Sequence, residues 1–123
     1  MTTIRDVMSS EVVTVEPTVT VAEAATVMGE RRIGCLLVLR GEELAGIFTE
    51  RDIVKALANH FDAAGHQVEN WMTSNPVSIG SDATVQRGLD AMLQGNFRHL
   101  PVVDDGRLVG VVSIRDLSSA SSD

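Results

Sequence analysis

The chain repeats itself at an offset of 64 residues, and that repeat constrains the fold more than any other feature of the sequence. Met8, Val13, Thr20, Val21, Met28, Leu36, Val38, Leu44, Gly46, Arg51 and Asp52 recur as Met72, Val77, Thr84, Val85, Met92, Leu100, Val102, Leu108, Gly110, Arg115 and Asp116. One constant offset serves every pair, so the two halves share their loop lengths and repeat one supersecondary unit. With 123 residues, 44% of them hydrophobic, each half alone would bury too little surface to make a good globule. The halves are therefore expected to share a core or a large interface. Aromatic residues are 3% of the chain, which leaves the packing to Val, Leu, Ile, Ala and Met.

The periodicity within each half reads β-α-β-β-α, an α/β (α+β) fold. Val12-Val13-Thr14-Val15 is a short strand that stops at Pro17. Thr20 caps a helix to about Glu30, with Val21, Ala24, Ala25 and Met28 at helical spacing. Cys35-Leu-Leu-Val-Leu39 and Leu44-Ala-Gly-Ile-Phe48 form a hairpin, and Thr49 opens a second helix. In the second half Val77-Ser-Ile79 is the strand and Thr84 starts the helix. The hairpin turns at Asp105-Gly106, a strong two-residue turn signal, and Ser113 opens the last helix. Pro101, at the position of Leu37, should begin a strand or lie on an edge. The boundaries implied are repeat 1 over 1–60, a linker over 61–67, repeat 2 over 68–117 and a flexible polar tail over 118–123.

Composition narrows the function classes. Ten Lys and Arg against seventeen Asp and Glu give a net charge of −7. That balance disfavours nucleic acid and anionic membrane as partners, because both demand neutralised phosphates. Cys35 is the only cysteine, so no internal disulfide forms, which suits the reducing cytoplasm. No leader or membrane-length apolar run is visible.

The segment that bears chemistry closes each half: Gly46-Ile-Phe-Thr49-Glu-Arg51-Asp52 and Gly110-Val-Val-Ser113-Ile-Arg115-Asp116. A helix start has unpaired N–H groups and attracts anions, phosphate above all. The hydroxyl and guanidinium add donors, and the carboxylate can take a vicinal diol, as acidic residues take ribose in dinucleotide folds. The competing explanation is structural. Thr/Ser-x-x-Asp is close to a capping box that satisfies the helix start with no ligand. A glycine three residues before the hydroxyl and an arginine beside the acid are not needed by a cap, and both copies have them. Gly46 and Gly110 are expected to admit a ligand or another backbone.

The doubled β-α-β-β-α pattern, each copy closed by Gly-h-h-Thr/Ser-x-x-Asp (h, apolar), resembles a tandem pair of CBS domains, the Bateman module. The Met-Thr/Ser opening of each repeat and the Leu100-Pro-Val-Val103 hairpin strand add to the resemblance, which runs from about Ile4 to Leu117. It implies two repeats packed with pseudo-two-fold symmetry around two clefts. Such clefts take adenosine-containing ligands such as AMP, ADP, ATP or S-adenosylmethionine, with the motif Asp on the ribose. Carried over by residue, one cleft uses Thr49, Arg51 and Asp52 with Phe97, Arg98 and His99. The other uses Ser113, Arg115 and Asp116 with Ile33, Gly34 and Cys35. The Asp52 cleft is then the more basic and should prefer more phosphorylated ligands.

Nothing in the sequence supports catalysis or a metal site. His60, His66 and His99 are scattered, and there is no phosphate loop or nucleophile elbow. Cys35 reads as a small buried thiol, the recurrent Met8, Met28, Met72 and Met92 as packing, and Trp71 as a packing plug. The expected protein is a non-enzymatic cytoplasmic regulator with no required cofactor, sensing an adenine nucleotide. With no second domain visible, it would signal through an unidentified protein partner and form a homodimer. The alternative is a structural association module with vestigial clefts.

Overall fold

The computed structural model describes residues 1–120. Its elements are α1 (Ile4–Val7), β1 (Thr14–Val15), α2 (Val21–Arg31), β2 (Cys35–Arg40), β3 (Glu43–Thr49), α3 (Glu50–Asn59), β4 (Thr73–Ser74), α4 (Val85–Gly95), β5 (His99–Asp104), β6 (Arg107–Ser113) and α5 (Ile114–Ala120), with single 3₁₀ turns at Ala63–Gly65 and Val68–Asn70. The β-α-β-β-α reading holds in the first half; in the second, both helices and the hairpin form, but the strand expected at 77–79 does not. Three pieces went unread in the sequence: α1, the 3₁₀ turns and β4, all too short to show a period. The last helix runs on to Ala120, three residues into the stretch assigned to the tail; the rest of that stretch, 121–123, lies outside the described residues.

Local chemistry explains the matched elements. Thr20 Oγ1 accepts the Glu23 N–H at 3.0 Å and starts α2; Thr84 Oγ1 accepts the Arg87 N–H at 3.1 Å and starts α4. Val21, Ala24 and Met28 are the buried stripe of α2, and Val85, Gly88 and Met92 that of α4, three to four residues apart as one helix face requires. Asp105 and Gly106 turn the second hairpin with φ of 51° and 77°, the left-handed pair that matches strand twist.

The halves differ at one strand. In the first, β1 runs parallel to β2, and the Leu37 N–H donates to the Val13 carbonyl at 3.0 Å. Pro101 occupies the position of Leu37 and has no N–H to give. Val77–Ile79, expected as a strand, therefore shrinks to one bridge between Ile79 and Val102. The Ile79 N–H still reaches the Pro101 carbonyl at 3.1 Å and the Val103 N–H the Ile79 carbonyl at 2.9 Å. Pro101 is the third residue of β5 rather than its first, with its donor-less nitrogen on the side where the ladder dwindles.

Two compact units form, and they do not follow the sequence repeats. One consists of residues 1–12 with 77–123, the other of residues 13–76. Each repeat lends its opening turn to the body of the other. Ile4 is buried with Val85, Met92, Leu100, Val102, Val112 and Leu117; Val68, its counterpart, is buried with Val21, Met28, Leu36, Val38 and Phe48. The bonds match as well: Ile4 N–H to the Ala83 carbonyl and Val68 N–H to the Val19 carbonyl are both 2.9 Å. The exchange continues one turn later, where Thr73 pairs with Ile47 and Ser9 with Val111. Each unit has its own cluster of seven buried hydrophobic residues.

Candidate functional site

Both motifs sit where a hairpin's second strand becomes a helix. In the 13–76 unit β3 ends at Thr49, which caps α3. The Thr49 N–H donates to Asp52 Oδ2 at 2.8 Å, its hydroxyl to the same oxygen at 3.2 Å, and the Asp52 N–H to Thr49 Oγ1 at 3.4 Å. In the other unit the Ser113 N–H donates to Asp116 Oδ2 and the Asp116 N–H to Ser113 Oγ, each at 3.2 Å. The capping explanation is thus fulfilled in both copies. Thr3 with Asp6 and Thr20 with Glu23 make the same reciprocal bonds elsewhere, so the box alone does not mark a site.

What separates Asp52 from these is its surroundings. It is half-buried, and desolvation raises its carboxyl above the usual carboxylate value against the pull of the Thr49 N–H and hydroxyl and of Lys55 and Arg51. Asp6, in an equivalent box on the surface, is lowered by the Thr3 N–H and hydroxyl. Burial of this kind disfavours the charged form, and carboxyls so perturbed are concentrated at functional sites. Asp116 is exposed.

The segments that lead into the hairpins lie against the caps of their own units. Cys35 pairs with Thr49, and the Glu50 N–H donates to the Gly34 carbonyl at 3.2 Å. His99 pairs with Ser113, and the Ile114 N–H donates to the Arg98 carbonyl at 2.8 Å. Ile33, Gly34, Phe97 and His99 are half-buried; Arg51, Arg98 and Arg115 are exposed. Cys35 is buried, and burial pushes its thiol up to about 11. It is protonated at neutral pH and no nucleophile.

The glycines have another occupant. A Cβ on Gly46 would lie 2.5 Å from the Met72 sulfur and 2.8 Å from the Thr73 carbonyl oxygen; on Gly110, 2.6 Å from the Met8 sulfur and 2.8 Å from the Ser9 carbonyl oxygen. Of the two visitors foreseen, a ligand or another backbone, the backbone is the one seated there, with a methionine beside it. The recurring Met-Thr/Ser and Gly, both visible in the sequence at the same offset, are two sides of one contact.

The histidines are less scattered than their spacing implied. His60 and His66 gather around Trp71, which is half-buried at the edge of the core. Among the described residues no group of three or more His, Cys, Asp or Glu is placed to hold a metal ion. None of their helices is long and apolar enough to cross a membrane.

Known proteins share this architecture. The CBS-domain family model matches twice, over residues 4–59 and 68–123. An uncharacterized 17.7 kDa protein of Acidianus ambivalens is 42% identical over 99% of this chain and 74% of its own length. CBS domain-containing proteins of Arabidopsis thaliana are matched over 91% of this chain, but the chain spans only 21% of their length. The crystal structure of the CBS-domain containing protein ATU1752 from Agrobacterium tumefaciens superposes with a TM-score of 0.93 at 37% identity, covering 98% of this chain and 99% of that one. The CBS domain pair of protein MJ0100, crystallised with 5′-methylthioadenosine and S-adenosyl-L-methionine, gives 0.89 at 32% identity, covering 98% and 99%. Two family matches at the offset of the internal repeat, in a fold shared end to end with such pairs, place this chain in the CBS-domain family as a tandem CBS pair.

Proposed function

We propose that the chain is a regulatory module that binds an adenosine-containing ligand through the carboxylates of Asp52 and Asp116. The observation that carries the reading is the half-buried Thr49–Asp52 pair, whose carboxylate is desolvated beyond the need of a helix cap. A ribose diol replaces lost water with two charge-assisted hydrogen bonds. The MJ0100 pair, crystallised with two adenosine derivatives, supports the choice of ligand class. Thr49 and Ser113 are proposed to contact the sugar or phosphate, Arg51, Arg115, Arg98 and His99 the phosphates, and Phe97 and Ile33 the base, with Gly34 and Cys35 lining the approach. Regulation then requires only that the ligand bind two conformations unequally. A homodimer in the cytoplasm, acting on a protein partner rather than on a substrate, completes the reading.

One observation favours a second reading, an association module with vestigial sites. Gly46 and Gly110 are accounted for by Met72 and Met8, and both motif acids already serve as caps. Thermal unfolding with AMP, ADP, ATP, 5′-methylthioadenosine and S-adenosylmethionine separates the two. A ligand at a hundred times its dissociation constant adds about 2.7 kcal/mol, a rise of about ten degrees at this size. Loss of that rise in Asp52→Ala or Asp116→Ala supports nucleotide sensing; no rise with any of the five supports the association module.

A further inference from the structure

The bridge from α3 to β4 carries a cluster that the ligand site does not use. The Trp71 indole lies nearly parallel to the His66 ring, with centroids 6.1 Å apart and planes 13° apart, and His60 lies 5.5 Å from His66 and 5.7 Å from Trp71. The Trp71 Nε1–H donates to His66 Nδ1 at 3.2 Å. A ring nitrogen that accepts carries no proton, so His66 is held as the neutral Nε2–H tautomer. Its Nε2 faces Asp62 Oδ1 at 3.5 Å. The next proton has only Nδ1 to go to, the atom that Trp71 uses.

The segment around this pair is a strap fixed at both ends. The His66 carbonyl accepts the Val21 N–H at 2.8 Å at the start of α2, and the Val68 N–H reaches the Val19 carbonyl at 2.9 Å. Beyond Trp71, Met72 covers Gly46, Thr73 pairs with Ile47, and the Asn75 N–H donates to the Ala45 carbonyl at 3.2 Å. Trp71 stands between the two sets of anchors.

We propose that His66 and Trp71 form a pH-sensitive latch on this strap. Neutral His66 ties the indole down. A proton on Nδ1 turns acceptor into donor, expels the indole N–H, and loosens Met72 and Thr73 from β3. The groups facing His66 are His60 at the end of α3, Asp62 ahead of the first 3₁₀ turn, Trp71 on the strap and the Val21 backbone of α2. The equivalent positions of the other unit are Thr2 and Val7, so the latch belongs to one unit.

Trp71 is the only tryptophan, so its indole N–H gives one cross-peak in a ¹H–¹⁵N spectrum of the full chain. That peak is expected to titrate between about pH 8 and 5, where histidines change charge, and to stop titrating in His66→Gln, which keeps an acceptor without a proton to gain. His60→Gln should still titrate. Exchange protection of the Thr73 and Asn75 amides, corrected for intrinsic pH dependence, should fall several-fold at the acid end in the wild type but not in His66→Gln or Trp71→Phe. An indole peak that does not move, or that titrates unchanged in His66→Gln, overturns the proposal. So does a moving peak with unchanged amide protection.

Discussion

The same backbone corner in the two units carries opposite charges. In the 13–76 unit Arg40, at the end of β2, meets Glu69 at 3.7 Å, and the Glu69 N–H donates to the carbonyl of buried Pro17. In the other unit the acid is Asp104 and the base Arg5, and Ser81 replaces the proline. Buried Ser81 donates from its hydroxyl to Asp104 Oδ2 at 2.5 Å and from its N–H to Oδ1 at 2.9 Å, and accepts from Arg5 at 2.7 Å. The backbone bond between the segments survives in both, at 3.1 and 3.0 Å. The repeat fixes main-chain bonds and core positions, while polar side chains at the same positions are free to build different networks. The motif acids differ in the same way: Asp52 is half-buried, Asp116 exposed.

The sharpest way to break the equivalence of the scaffolds is at the paired glycines. Gly46→Val and Gly110→Val each drive a side chain into a methionine and a backbone carbonyl. Each should cost about 3 kcal/mol in urea unfolding, at the upper end of overpacking. A large cost in one unit and none in the other would show that the exchanged openings are not equivalent.

Ser81→Ala should cost about 1 kcal/mol, because it removes a buried hydroxyl that donates to Asp104 and accepts from Arg5. Arg40→Ala, at the exposed ion pair of the other corner, should cost under about 0.5 kcal/mol. Equal costs would erase the contrast. The Ser81 hydroxyl and N–H hold the Asp104 carboxyl below the usual range, so Asp104 stabilises the native state above its unfolded value. That contribution is lost as pH falls through the lowered native value, and Ser81→Ala should flatten this acid limb of the unfolding curve.

Asp52 runs the other way. Its raised native value means that its contribution is fully present below the unfolded value and lost as pH rises through the native one. Asp52→Asn, which keeps an acceptor for the Thr49 N–H, should remove that slope and leave stability at pH 7 unchanged or higher by about 0.5 kcal/mol. A marked loss would mean that the ionised carboxylate is needed by the fold itself. Smallest is Pro101→Leu, which restores the donor present at Leu37. The gained bond, about 1 kcal/mol, is offset by the freer unfolded chain. The variant is told from the wild type by a slowly exchanging amide at position 101.

The repeat made much of this legible. Thr20, Thr49, Thr84 and Asp105-Gly106 each announce a local bond that needs no distant partner, and the structure makes those bonds. The exchange of opening turns was written in the sequence as the shared offset of Met8, Gly46, Met72 and Gly110. A repeat shows which residues correspond, not which copy they pack against, so the contact could not be assigned to a half. The meeting of His66 and Trp71 depends on the path of the bridge, where no period exists to be read.

The central claim is that each unit carries one ligand carboxylate. Calorimetric titration with 5′-methylthioadenosine and with AMP tests it on the wild type, Asp52→Asn, Asp116→Asn and the double variant. The account predicts two ligands per chain in the wild type, one in each single variant, at least about a hundredfold weaker binding at the altered site, and none in the double variant. A double variant that binds like the wild type would contradict it.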